Sequence, residues 1–225
     1  NDKAIDVITL IAALAAALLG GQLTRSFKPS EPPHRIWHAF TLGWWAWVGG
    51  ELLGFVYDHF YWFTDYPEIT FIDLFWLLGY GFFGLSLFHQ FRLIYSYKRG
   101  SKPALYLSFV AVAFLLAAGL TQLALAVGLG EGASWGANYL AILYPVFDLA
   151  EGGAALWLFF LFGRGYLGRP WWGLIAFAVA DAINIFFWLG GWNWISDLAY
   201  RYLDLFSSVT YAAGYMIAAL AFLAA

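Results

Sequence analysis

Apolar residues dominate this chain in long blocks, and short polar links separate the blocks. Seven blocks are long enough for helices that cross a lipid bilayer, because such a helix needs about 20 mostly apolar residues. The ten-residue alternation of a membrane β-barrel strand is absent. We therefore predict an all-α membrane protein with seven transmembrane helices, at 5–22, 36–58, 70–93, 104–128, 138–162, 170–190 and 199–222.

The composition supports a single transmembrane domain over residues 1–225. Hydrophobic residues make up 63% of the chain and charged residues only 11%, whereas soluble domains carry about 25% charged residues. The net charge of −3 does not favour nucleic acid as a partner. The chain has no cysteine, which excludes disulfides, thiolate metal sites and cysteine nucleophiles.

The basic residues predict the orientation. Nine of the eleven Lys and Arg residues fall at one face of the predicted bundle: Arg25, Lys28, Arg35, Arg92, Lys98, Arg99, Lys102, Arg164 and Arg169. Loops rich in Lys and Arg lie on the cytoplasmic side of a membrane protein. We therefore expect a multi-pass protein of the cytoplasmic (inner) membrane, with its N-terminus outside and its C-terminus in the cytoplasm.

The first three predicted helices, within 5–93, resemble the last three, within 138–222, and 104–128 would be a linker helix. Each half places an acid inside an aromatic-rich helix and a Gly-Tyr pair in the helix that follows. These are Glu51 with Gly79-Tyr80, and Asp181 with Gly214-Tyr215. Both halves would start outside, so the pattern favours a parallel 3+1+3 repeat, as found among transporters. Chance likeness of two aromatic-rich segments is the alternative.

Four acids lie well inside predicted helices: Glu51, Asp148, Glu151 and Asp181. An unpaired charge at the bilayer centre costs about 2.5–3.5 kcal/mol on insertion scales, and no Lys or Arg lies at a matching depth. The acids must then be protonated, hydrogen-bonded, hydrated or bound to a cation. They are candidates for a ligand, proton or cation site, or for hydrogen bonds that hold the bundle together.

Spacing groups these acids with other polar residues. Asp148 and Glu151 are three residues apart and share a helix face, as do Asp181 and Asn184. Proline inside a helix frees a carbonyl and kinks the chain, here one turn before Asp148, which would open room for a ligand or simply be filled by packing. The candidate ligand-binding residues are Glu51, Asp73, Tyr144, Pro145, Asp148, Glu151, Asp181 and Asn184.

The sequence predicts no catalytic residue, no resident metal and no retinal. Every Lys precedes position 103, so the last helix has none for a Schiff base. Phosphate-binding loops, zinc patterns and Ser-His-Asp sets are missing, and we do not expect an enzyme. His38 and His89 both fall near the cytoplasmic side and would be the ligands if the chain held a haem.

Short motifs run through nearly the whole chain, in the order Arg35-Ile36-Trp37, Gly50-Glu51, Tyr66-Pro67, Ile72-Asp73, Leu77-Leu78-Gly79-Tyr80, Tyr144–Asp148, Gly168-Arg169-Pro170-Trp171-Trp172 and Ala180-Asp181. With them the chain resembles the multi-pass membrane sensor region at the N-terminus of many bacterial diguanylate cyclases and sensor histidine kinases. The resemblance implies a signal-input module that feeds a cytoplasmic output domain. This sequence departs from the family pattern by ending at Ala225, before any such domain, and the alternatives are that it signals through a missing tail, through a partner protein, or not at all.

Three functional hypotheses follow. The first is a membrane sensor or ligand-binding module that takes an apolar or amphiphilic small ligand, or a proton, and passes a signal to a cytoplasmic output domain or partner. The second is a small-solute transporter of the parallel-repeat type. The third is an accessory subunit of a membrane electron-transfer complex that binds haem or pigment.

Overall fold

The computed structural model describes residues 2–60, 69–97, 134–162, 166–188 and 195–225. These residues form helices and contain no strand, which confirms the all-α prediction for this part of the chain. The helices are α1 (Asp2–Arg25), α2 (Pro32–Phe60), α3 (Phe71–Tyr97), α4 (Trp135–Phe162), a 3₁₀ helix (Tyr166–Trp171), α5 (Trp172–Trp188) and α6 (Asp197–Leu223).

Four of the described helices are long and apolar enough to cross a membrane, and they indicate a membrane protein. The four segments are Lys3–Arg25, Phe71–Ile94, Gly136–Leu158 and Asp197–Leu223. α2 and α5 coincide with the predicted spans 36–58 and 170–190 but are not among these four; α5 has only 17 residues. The predicted span 104–128 lies outside the described residues.

α2 contributes more side chains to the buried core than any other described helix. It packs against α1 and α3, while α6 packs against α1 and α5, and α4 against α3 and α5. The α1 face in the core is made of small residues, including Ala13, Ala16 and Ala17, none of which has any exposed surface. Small residues let membrane helices approach closely. Large apolar side chains such as Phe206 and Leu220 cover the outer surface of α6 instead.

The core is a cluster of aromatic rings contributed mainly by α2. Trp44 is fully buried and Trp47 nearly so, whereas Trp45 is 42% exposed. The deep tryptophans therefore alternate between the core and the lipid-facing surface. Trp44 lies with its ring centroid 5.0 Å from that of Phe83 and 5.5 Å from that of Tyr215, which joins α2 to α3 and α6.

Two glycines fix how closely α2 and α3 pack. A Cβ atom on Gly43 would lie 2.3 Å from the Phe83 ring, and one on Gly79 would lie 2.1 Å from the Trp47 ring. Interior side chains are packed at crystal-like density, so neither ring can move aside without disturbing its neighbours. This contact sets the depth of Glu51, one turn beyond Trp47 on α2.

Candidate functional site

Glu51 of α2 is bound by the last helix of the bundle. Its Oε1 accepts hydrogen bonds from the hydroxyls of Tyr211, at 2.8 Å, and Tyr215, at 2.7 Å. The two tyrosines are four residues apart and therefore project from one face of α6. Both hydroxyls donate to the same oxygen of Glu51, so they leave its second oxygen for another partner.

Glu51 also lines a cavity of about 290 Å³, which we call the acidic cavity. The cavity lies between α1, α2 and the start of α3, and four carboxyl groups line it. Its walls are formed by Asp6, Gly50, Glu51, Gly54, Phe55, Asp58, Thr70, Ile72, Asp73 and Trp76. No Lys or Arg is among these residues, so the cavity concentrates negative potential.

Neighbouring groups engage two of these carboxyls. Asp6 Oδ2 lies 2.9 Å from Nε2 of His59, within hydrogen-bonding distance. Asp73 Oδ2 accepts from the backbone N–H of Thr70 at 2.7 Å, which caps the start of α3, and Asp73 Oδ1 accepts from the Tyr144 hydroxyl at 2.7 Å. The second bond ties the rim of the cavity to α4.

A second group of acids lies deeper, and we call Asp148, Glu151 and Asp181 the carboxyl cluster. Asp148 is 4% and Glu151 7% exposed. The Tyr80 hydroxyl donates to Asp148 Oδ1, and Asn184 donates to Asp181 Oδ1 at 3.5 Å. Asp148 Oδ2 and Glu151 Oε2 are buried and have no hydrogen-bond partner among the residues that the structure describes.

Asp148 on α4 and Asp181 on α5 lie on helices that pack against each other, and they are close enough to interact electrostatically. A carboxylate can only accept hydrogen bonds, so two facing carboxyl groups need a proton between them. The arrangement can therefore hold a proton between the two helices, where no Lys or Arg of the described residues is paired with either acid.

The two acid sites share a local pattern. On α2, Trp47 packs on Gly79 and precedes Glu51 by four residues; on α5, Phe177 packs on Gly214, whose Cβ would lie 2.8 Å from that ring, and precedes Asp181 by four residues. The tyrosine after each glycine donates to an acid of the opposite half. Tyr215 donates to Glu51, and Tyr80 to Asp148.

The predicted site residues thus divide between two places. Glu51 and Asp73 line the acidic cavity, and Tyr144 is bonded to Asp73. Asp148, Glu151, Asp181 and Asn184 are in or beside the carboxyl cluster, and Pro145 is buried in α4 one turn before Asp148. None of these last five residues lines the acidic cavity.

Sequence reasoning missed the hydroxyl donors and most of the cavity wall. The Gly-Tyr pairs marked Tyr80 and Tyr215 as features of the repeat, but not as donors to the acids. Tyr211 could have been predicted from its spacing, because two tyrosines four residues apart share a helix face and can donate to one acceptor. Asp6 gave none, since an acid in the first turn of a membrane helix is ordinary at an interface.

The two histidines of the haem hypothesis lie in different surroundings. The His38 ring stacks on His34 with a centroid separation of 5.6 Å, at the start of α2. His89 lies on α3 beside Arg35 and Arg92. The haem hypothesis stays a prediction.

No family model matches the chain, and neither a curated protein nor a solved structure is detectably similar to it.

Proposed function

We propose that this protein is an integral membrane sensor that binds a small organic cation in the acidic cavity and passes the signal through its last helix. The observation that carries the proposal is the double role of Glu51. One carboxyl group both lines the acidic cavity and accepts two hydrogen bonds from α6. A ligand that engages Glu51 therefore acts directly on the helix closest to the C-terminus.

Charge and shape favour a cation. Four carboxyl groups line the acidic cavity, one of them beside His59, and no Lys or Arg is among the described lining residues. A cleft in which one sign of charge predominates raises the local concentration of the opposite ion. Phe55 and Trp76 add aromatic faces, which attract quaternary and protonated amines. The volume of about 290 Å³ suits a small ligand, since drug-sized pockets begin near ~300 Å³.

Signal transfer follows from competition for Glu51. A bound cation draws the carboxylate toward the cavity and weakens its bonds to Tyr211 and Tyr215. The arrangement of α6 against α2 that the ligand prefers then gains population. A cytoplasmic output domain or partner protein, as the family resemblance implies, would read the shift at the end of α6.

The proposed frame is a bundle that crosses the inner membrane seven times, with its N-terminus outside. The four apolar helices and the basic links support it. The chain has no cysteine, so single cysteines at Ser26, Ser101 and Gly165 can be labelled without background. All three should react with an impermeant maleimide only from the cytoplasmic side. Reaction of the three positions from different sides would overturn the topology.

Binding can be tested with choline and its uncharged isostere, 3,3-dimethylbutan-1-ol, on the purified protein in nanodiscs. Choline should raise the unfolding temperature and the isostere should not. Glu51→Gln keeps the shape of the side chain and removes its charge, so it should weaken choline binding about tenfold or more, as expected for one lost hydrogen bond or ion pair to a charged group. Glu31→Gln removes an acid outside the cavity and is the matched control.

Equal choline affinity in Glu51→Gln and the parent would overturn the assignment of Glu51. Equal stabilisation by choline and the isostere would overturn the cationic specificity. Choline flux into proteoliposomes would favour the transporter hypothesis over a sensor.

Coupling needs a second measurement. Spin labels on cysteines at positions 28 and 225 report the distance between the link that leads into α2 and the residues just after the end of α6. Choline should change this distance in the parent. Tyr211→Phe/Tyr215→Phe should still bind choline but lose the distance change; a change as large as in the parent would show that the tyrosines do not carry the signal.

A further inference from the structure

A second cavity lies at the opposite end of α2, where α3 ends. We call it the basic pocket. It has a volume of about 250 Å³, and its walls are Ser30, Pro32, Arg35, His89, Arg92 and Leu93. It differs from the acidic cavity in charge, because it contains two arginines, a histidine and no acid.

The cationic side chains converge from two helices. Arg35 comes from the first turn of α2, whereas His89 and Arg92 are three residues apart on α3 and share one face. Neither arginine forms an ion pair with a carboxylate among the residues that the structure describes. The nearby Glu31 instead accepts a hydrogen bond from the backbone N–H of Lys28 at 3.0 Å. Like charges held together repel, and an anion between them would remove that repulsion.

A buried hydrogen bond between α2 and α3 fixes the two walls of the basic pocket. The Ser86 hydroxyl on α3 donates to the carbonyl of Ile36 on α2 at 2.8 Å, and Ser86 is completely buried. Ile36 directly follows Arg35, and Ser86 is one turn from His89. The two walls are thus fixed relative to one another before any ligand binds, and this lowers the entropic cost of binding.

The position of the pocket relates it to the membrane surface. Arg92 lies two residues before Ile94, the end of the apolar segment of α3, and therefore at headgroup depth. Leu85 and Phe88 lie seven and four residues before Arg92 on the same face, and they are 43% and 49% exposed. An apolar stripe thus runs from the basic pocket toward the bilayer interior, where acyl chains would cover it.

We propose that the basic pocket binds a phosphate group, supplied by the headgroup of an anionic phospholipid. Arginine pairs with phosphate through two parallel N–H···O bonds, and Arg35 and Arg92 approach from two helices. Ser30 and His89 can donate further bonds to the phosphate oxygens. Free inorganic phosphate offers the same oxygens without the acyl chains, so the exposed stripe favours the lipid.

Native mass spectrometry of the full chain can test this with phosphatidylglycerol, phosphatidylcholine and inorganic phosphate as probes. The parent should retain one phosphatidylglycerol in preference to phosphatidylcholine. Arg35→Gln/Arg92→Gln should weaken that retention at least about tenfold, since a hydrogen bond to a charged group contributes about 1.5–3 kcal/mol. Arg25→Gln/Lys28→Gln removes the same charge from the same end of the bundle but outside the pocket, and should retain the lipid.

Equal losses in the two double variants would attribute binding to diffuse surface charge and overturn the proposal, as would equal retention of the two lipids by the parent. If inorganic phosphate displaces the lipid and itself raises the unfolding temperature in neutral detergent, the phosphate site stands but the lipid source does not. Because Glu51 lies at the other cavity, Glu51→Gln should retain phosphatidylglycerol even if the cation proposal fails.

Discussion

Glu51 and the carboxyl cluster are two ways of accommodating an acid inside an apolar bundle, and no Lys or Arg of the described residues forms an ion pair with either. Glu51 receives two tyrosine hydroxyls from α6 and opens onto the acidic cavity. Asp148 is buried and receives one tyrosine hydroxyl, and among the described residues its second oxygen has no partner.

This difference determines whether each site can replace a hydrogen bond that it loses. The acidic cavity lets water or a ligand replace a lost hydrogen bond at Glu51. Asp148 and Glu151 are buried and line no such cavity, so a hydrogen bond lost at either of them leaves a buried group unsatisfied. Removing a tyrosine hydroxyl should therefore lower the free energy of unfolding more at the carboxyl cluster than at Glu51.

Tyr80→Phe should have the largest effect. It removes the hydroxyl that Asp148 accepts, and we expect the free energy of unfolding to fall by about 1–3 kcal/mol, the cost of leaving a buried acceptor unsatisfied. Unfolding in mixed micelles with increasing SDS measures it. Tyr202→Phe on the exposed surface of α6, where the side chain is 65% exposed, is the matched control and should change little. Equal stability of Tyr80→Phe and the control would contradict the closed character of the cluster.

Glu151→Met should change stability in the opposite direction. The substitution keeps the length of the side chain and removes the unpartnered Oε2, so the free energy of unfolding should rise by about 1 kcal/mol. Glu151→Gln leaves a polar group at the same place and should gain little. A loss of stability in Glu151→Met would mean that Glu151 has a favourable partner in the folded protein.

Tyr211→Phe/Tyr215→Phe should cost less than Tyr80→Phe, although it removes two hydroxyls. Water in the acidic cavity can replace them, and we expect a loss of about 0.5–1 kcal/mol in the same micelle titration. The two single substitutions should together cost less than the double one, because either hydroxyl alone still serves Glu51. A double variant less stable than Tyr80→Phe would reverse the comparison.

Asp148→Asn/Asp181→Asn should have the smallest effect, within about 0.5 kcal/mol, because an amide N–H can take the place of the shared proton and the Tyr80 hydroxyl keeps an acceptor. Infrared spectroscopy gives an independent check. The parent should show the C=O band of a protonated carboxyl group, and the double variant should lose intensity there. An unchanged band would exclude a proton shared by these two residues.

The length and spacing of apolar blocks were enough to predict the helices. Six of the seven predicted segments coincide with described helices, with ends that differ by a few residues, and the seventh lies outside the described part. The predicted start at 170 is one example of such a difference: the chain first forms a 3₁₀ turn around Pro170, and α5 begins at Trp172. Seven crossings, the orientation and the repeat remain predictions.

The candidate acids were also visible in the sequence, because a charge inside an apolar block is conspicuous. Their partners were not. The bond from Tyr215 to Glu51 joins residues 164 positions apart, and only the packing of α6 against α2 brings them together. The acidic cavity was equally hidden, since its walls come from the ends of three helices and include Asp6 and Thr70, which look ordinary in their own segments.

The glycine contacts also decide which parts of the bundle can shift. Gly79 against Trp47 locks α2 to α3, and Gly214 against Phe177 locks α5 to α6. Each pair should behave as one stiff unit, so the compliant direction of the molecule is the sliding of one pair over the other. The hydrogen bonds from Tyr211 and Tyr215 to Glu51 cross the boundary between the two pairs and would resist their sliding.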